Sequence, residues 1–106
     1  MTSTITTIEP SIGCIASALE ILGHKWTALI LRDLVPGPMH FCELQNSVGH
    51  INPRTLSQRL DYLQLQGIVI SDSDNSYRLT DKGRELLPIL RQMAIWGTKY
   101  PSRTFS

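Results

Sequence analysis

Apolar residues along this chain recur first at helical spacing and then, over one short stretch, at strand spacing. Ile12, Ile15, Ala16, Leu19 and Leu22 fall on one stripe, which predicts a helix over 12–22, ended by Gly23. A second helix is predicted over 24–35, with Trp26, Leu29, Ile30, Leu34 and Val35 as an apolar face broad enough for the centre of a core. Pro36-Gly37-Pro38 stops it. A short helix over 41–47 carries Phe41 and Leu44, with Val48 just beyond, and Gly49-His50-Ile51 supplies a turn. Asn52 is a favourable N-cap, Pro53 suits the first helical position, and the next helix runs to about Gln66 before a stop at Gly67. Beyond Gly67 the period changes. Ile68-Val69-Ile70, a polar turn over 71–76, and Tyr77-Arg78-Leu79 predict a β-hairpin. Thr80 caps a last helix, which Pro88 kinks or breaks. Its Leu86, Leu87, Leu90, Met93, Ala94 and Trp96 exceed what one small core can bury.

Two short helices joined by a glycine turn and followed by a hairpin form the pattern of a winged helix-turn-helix. The expected fold is mainly α with a small β-hairpin. Within residues 53–66, Leu56, Leu60 and Leu63 share a face and should point inward. The opposite face then carries Arg54, Gln58, Asp61 and Leu65, flanked by Thr55, Ser57 and Tyr62. Arg can pair with guanine O6 and N7, and Gln with adenine. The helix N-terminus favours phosphate, and in helix-turn-helix proteins this end of the second helix contacts bases. Asn52, Arg54, Thr55, Ser57 and Gln58 are therefore candidates for contact with double-stranded DNA. Arg59 lies beside the leucines and is expected to reach a phosphate or to pair internally with Glu43. The competing reading of the whole helix is a solvated amphipathic surface.

Composition changes this picture little. The chain has 106 residues, enough for one domain, with an arm expected over 1–12 and the domain over 13–106. Its net charge is only +1, so any basic surface must come from placement rather than excess. No apolar run approaches the ~18 residues of a membrane span, and Met1–Thr7 lacks the basic start and apolar core of a signal peptide. Two cysteines, Cys14 and Cys42, suggest no disulfide framework. The expected compartment is the cytoplasm.

Several blocks in order resemble one family. Cys14-x-x-x-Ala18-Leu19-Glu20-Ile21-Leu22-Gly23-x-Lys25-Trp26-Thr27-x-Leu29-Ile30-Leu31-Arg32-Asp33-Leu34 resembles the opening of the HxlR family of winged-helix regulators. Gly37-Pro38-x-x-Phe41-x-Glu43-Leu44 is similar to its next block, and Ile51-x-Pro53-Arg54-Thr55-Leu56-Ser57-Gln58-Arg59-Leu60 to its recognition helix. Tyr77-x-Leu79-Thr80-x-x-Gly83-x-Glu85-Leu86 and Trp96-Gly97 resemble its close. The resemblance implies a homodimer through the first and last helices, with two recognition helices in adjacent major grooves. It also implies regulation of transcription, often in response to electrophiles or oxidants, with the reactive cysteine of redox-sensing members at the position of Cys14. The chain departs from the family at Cys14-Ile15, where Cys-Pro is usual, and at His40, where a basic residue is common. It departs again at Asp61 and in a short wing carrying Asp72 and Asp74. These changes weaken the expected grip on phosphate.

Among single residues, Cys14 opens the first helix, where a thiol can be reactive; the alternative is a small residue buried at a subunit interface. His24, His40 and His50 fit no zinc spacing with the cysteines, so neither a metal nor another cofactor is expected. His40 is placed to meet phosphate at the edge of the helix-turn-helix, although lone surface histidines usually do nothing special. Arg78 follows the hairpin tip and is the wing residue best placed for the minor groove or a phosphate; the alternative is a plain surface charge. No nucleophile motif, glycine-rich phosphate loop or paired carboxylate site is present, which argues against an enzyme. The competing functions are a protein-interaction module, favoured by the acidic wing and apolar last helix, and a small-ligand or metal sensor.

Overall fold

The computed structural model describes residues 12–103. Of the arm expected over 1–12 only Ile12 falls within the described residues, where it begins a helix. The order of elements is α1 (Ile12–Leu22), α2 (Lys25–Leu34), β1 (Met39–His40), α3 (Phe41–Ser47), α4 (Pro53–Leu65), β2 (Val69–Ser71), β3 (Ser76–Leu79), α5 (Asp81–Arg84) and α6 (Leu87–Lys99). The three strands form an antiparallel sheet in the order β1-β3-β2.

Helix α2 is the hub, touching α1, α3, α4, β3 and α6. Contact on so many sides rearranges the face expected from periodicity. Thr27 and Leu31 are buried together with Ile30 and Leu34, Trp26 and Leu29 are partly buried, and Val35 is exposed. The remaining core comes from Leu22, Leu44, Val48, Ile51, Leu56, Leu60, Leu63, Ile68, Val69 and Leu79. Ile15 and Leu19 of α1, expected on a buried stripe, are exposed. The last helix is broken: α5 ends at Arg84, and Pro88 sits in the first turn of α6, where its missing N–H leaves no bond unmade.

Helix α4 is fixed at both ends. Asn52 Oδ1 accepts from the backbone N–H of Arg54 at 2.8 Å and of Thr55 at 3.4 Å. At the other end Gly67 takes a φ of 75°. Its N–H donates to the Gln64 carbonyl, and the Ile68 N–H donates to the Leu63 carbonyl, which is a Schellman stop. The chain therefore leaves α4 directly into the sheet.

Strand β1 was not expected. Its two residues pair with β3, Met39 opposite Tyr77 and His40 opposite Ser76, so the predicted hairpin is the larger part of a three-stranded sheet.

The exit from the wing is locked by Thr80. Its hydroxyl donates to the Gly67 carbonyl and accepts from the Gly83 N–H at 3.1 Å. A Cβ built on Gly83 would lie 2.2 Å from the Ile68 carbonyl oxygen and 3.2 Å from Ile68 Cγ2. The close approach of α5 to the end of α4 thus requires glycine. Gly83→Ala should cost about 3 kcal/mol, the upper end of overpacking, and lower Tm by more than about 10 °C. Thermal unfolding followed by circular dichroism checks this; an unchanged Tm would mean that α5 moves aside freely.

Candidate nucleic-acid interface

Three leucines orient α4. Leu56, Leu60 and Leu63 are 0%, 1% and 0% exposed. Burial of each stabilises the fold by roughly 1.5–3 kcal/mol, which fixes the rotation of the helix about its axis. As a consequence Arg54, Ser57, Gln58, Asp61 and Leu65 are exposed, and Thr55 and Tyr62 are half-buried at the margins. Arg54 has no ion-pair partner among the described residues. Leu65, 82% exposed, lies at the C-terminal end of the same face.

The turn before α4 uses two consecutive positive-φ residues, Gly49 at 106° and His50 at 60°. The His50 N–H donates to the Gln45 carbonyl, and Gln45 Nε2 donates to the Ile51 carbonyl at 3.1 Å. Helix α3 therefore holds the approach to α4 by one backbone and one side-chain hydrogen bond at Gln45, as well as through the buried Leu44, Val48 and Ile51.

Arg59 is not paired with Glu43. Its guanidinium lies over the Tyr62 ring at 4.7 Å to the centroid, and it is half-buried. Burial pushes the His24 imidazole below its ordinary value, and the positive charge of Arg59 adds to that shift. Arg59 thus packs on the flank of α4 that faces the start of α2. Glu43 instead turns back to its own helix start, where Oε1 accepts from the His40 N–H at 2.7 Å and meets His40 Nδ1 at 3.1 Å. The backbone bond from His40 holds the Glu43 carboxyl below its usual range.

Pairing with β1 brings His40 to the wing. His40 lies opposite Ser76, and Ile70 lies opposite Arg78. Side chains at alternate positions share a face, so His40, Ser76, Arg78 and Ile70 stand on one side of the sheet. Met39, Tyr77, Leu79 and Val69 stand on the other, against the core. The wing turn closes on Asn75, at φ 65°, with Asp72 and Ser76 bonded across it. Asp74 Oδ1 accepts from the Ser76 hydroxyl at 2.6 Å and from its N–H at 3.0 Å. Those two bonds hold the Asp74 carboxyl below its ordinary value. His40 Nε2 is 4.0 Å from Asp74 Oδ2. Arg78 is paired with Asp72.

Cys14 is exposed in the first turn of α1, and Cys42 is exposed on α3. Among the described residues no three of His, Cys, Asp and Glu gather in a way that could hold a metal ion, and no single helix is long and apolar enough to cross a membrane.

A shallow apolar groove of about 560 Å³ runs between α2 and α6, lined by Ala28, Leu29, Val35, Leu87, Leu90 and Met93 among others. Helix α6 buries no residue. Ile89, Met93, Trp96 and Tyr100 are all exposed, at the spacing of one helix face. The sequence shows too many apolar residues here for one core; the structure shows which of them remain outside it.

Comparison with known proteins places these features in a wider set. The family model for HxlR-like helix-turn-helix proteins matches residues 21–105. The HTH-type transcriptional regulator YvaP of Bacillus subtilis is 36% identical over 94 residues, covering 83% of this chain and 87% of that protein. Among solved structures, quinone-bound YodB from B. subtilis superimposes with a TM-score of 0.76 at 31% identity, covering 81% of this chain and 96% of that one. The redox regulator HypR in its reduced form gives 0.70 at 30% identity, covering 80% and 90%.

Proposed function

The chain belongs to the HxlR-like helix-turn-helix family of DNA-binding transcriptional regulators, and from that premise we propose that it works as a homodimer on a two-fold duplex site. In this reading two α4 helices enter successive major grooves, about 34 Å apart. Arg54 and Gln58 read base edges, while Asn52, Thr55 and Ser57 position the helix end on phosphate and sugar. Arg59 reaches the backbone at the flank, and His40 and Arg78 meet it from the wing side. The observation that carries the reading is the rotation of α4: three buried leucines leave an arginine, without an ion-pair partner among the described residues, and a glutamine on the outer face. The exposed apolar stripe of α6, together with the exposed Ile15 and Leu19 of α1, supports a dimer through the terminal helices. The cytoplasm is the compartment that such a role requires.

The signal we propose is an electrophile or oxidant acting at Cys14. Cys14 is exposed and lies one residue before Ile15 on the helix assigned to the dimer. A quinone-bound structure exists for YodB. A thiol adduct there would place a polar or bulky group beside an apolar contact and shift the two α4 helices relative to each other.

A gel shift with the region upstream of the protein's own gene tests both parts. Wild-type protein should retard the fragment, and a quinone should change the retardation along with a mass increase on Cys14. Cys14→Ser should bind equally well and ignore the quinone. A Cys14→Ser protein that still responds removes the signal assignment; absence of retardation at low salt, and of protection when the same fragment is footprinted, removes the DNA-binding reading.

A further inference from the structure

The cations at the interface are not equivalent. Arg54 on α4 has no ion-pair partner among the described residues, whereas Arg78 and the imidazole of His40, on the outer face of the sheet, stand against carboxylates. His40 sits between Glu43 and Asp74. The Arg78 Nε–H donates to both oxygens of Asp72, at 3.1 and 2.9 Å. Both partners of this last pair are partly exposed, 45% and 36%, so the wing presents it at the surface. The Asp72 N–H donates to the Ser76 carbonyl at 2.8 Å, which ties Asp72 to the strand that carries Arg78.

From this contrast we propose that Asp72 is a specificity-determining residue, one that stops Arg78 from acting as a general phosphate ligand while leaving its Nη groups available as donors. The inference rests on the DNA-binding reading given above. A Lys or Arg that neutralises a phosphate displaces condensed counterions and adds about 0.9 to the slope of log affinity against log salt, whatever the sequence of the duplex. An Arg already neutralised by a carboxylate brings no net charge to the phosphate, so that contribution is absent. What remains are the N–H donors of the two Nη nitrogens, neither nitrogen bonded among the described residues. Hydrogen bonds from a neutral pair depend on where the acceptor stands, and an acceptor is correctly placed only when α4 is seated in its own site. Discrimination is thereby concentrated in α4, and the low net charge of the chain, +1, works in the same direction. Asp74 is less suited to this role, because its carboxylate is already engaged in closing the turn through Ser76.

Asp72→Asn keeps the shape of the side chain and removes its charge. The probes are the upstream fragment protected by wild-type protein and a scrambled duplex of the same length and composition. For the scrambled duplex the variant should bind more tightly, and its salt slope should steepen by about 0.9 per engaged wing. Its advantage over wild type should therefore grow about 3.5-fold per engaged wing between roughly 200 and 50 mM salt. Preference for the protected fragment should fall. Asp72→Asn combined with Arg78→Ala should lose the gain, and Glu85→Gln, which changes formal charge equally outside the wing, should not produce it. The proposal is overturned by an unchanged slope on scrambled DNA, or by a loss of affinity for both duplexes, since the latter would make Asp72 only a support for Arg78. A wild-type protein that binds the two duplexes equally, with Arg54→Ala behaving like it, would instead sink the reading on which the proposal stands.

Discussion

In the proposed dimer, Trp96→Asp should separate the subunits and lower affinity for a two-fold site by about 10²- to 10⁴-fold, while leaving the fold of each subunit intact. Trp96 is 65% exposed, and its ring lies tilted against that of Tyr100 at its own helix end, with centroids 5.4 Å apart. Among the described residues it is not part of the core cluster. It lies on the stripe with Ile89, Met93 and Tyr100, and soluble monomers rarely leave so continuous an apolar surface uncovered. A buried tryptophan in an interface is commonly worth about 2 kcal/mol or more, and the carboxylate that replaces it would have to be desolvated without a partner. The two losses together amount to roughly a thousandfold or more in dimer dissociation at about 1.4 kcal/mol per tenfold. Two α4 helices on one rigid dimer also gain from effective concentration, a factor of about 10² to 10⁴ that a monomer gives up. Sedimentation velocity reads the first effect, titration of the protected fragment the second, and far-UV circular dichroism the unchanged fold. A variant that sediments as a dimer would place the interface elsewhere and leave the α6 stripe without its proposed role.

The parts of this architecture that were legible in the sequence are those set by local chemistry. Asn52-Pro53 marks a helix start because its cap and its missing N–H act within one turn, and Gly67 marks the end because a positive φ favours glycine. The leucine spacing gives the rotation of α4 without any knowledge of its neighbours. What depends on partners distant in sequence was not legible. Met39-His40 has no periodicity to reveal a strand, and becomes one only by pairing with residues 76 and 77. Leu31 is buried and Val35 exposed because α2 is enclosed on several sides, an arrangement that one stripe does not encode. Gly83 stands in a recognisable block, yet its reason is the carbonyl of Ile68, fifteen positions away. The acidic residues of the wing were visible as composition; that Asp72 takes Arg78 and Asp74 faces His40 requires the register of the hairpin. Arg59 was expected to reach a phosphate or to pair with Glu43; the second alternative fails because the ring of Tyr62, three residues along the same helix, holds it instead.

The second large effect is expected at Arg54, and its form separates base reading from simple attraction to DNA. Arg54→Ala should weaken binding to the protected fragment by about 1–3 kcal/mol, roughly five- to 150-fold, and relax preference at a single base position. Arg54→Lys is the sharper variant. It keeps the charge, so the salt slope should stay as in wild type, but an ammonium cannot span guanine O6 and N7 as the guanidinium fork does. Most of the sequence preference should therefore vanish while most of the non-specific affinity survives. Gln58→Ala, one helical turn further along the same exposed face, should relax a neighbouring position rather than the same one. Arg59→Ala provides the contrast, since its guanidinium is occupied by the Tyr62 ring. Its loss should cost stability of about 0.5–1 kcal/mol and weaken all duplexes alike. Selection from a randomised duplex library, followed by titration at several salt concentrations, resolves the four variants. If Arg54→Lys keeps the wild-type base preference, Arg54 contacts phosphate, and the reading of bases must be assigned to other residues on the exposed face of α4.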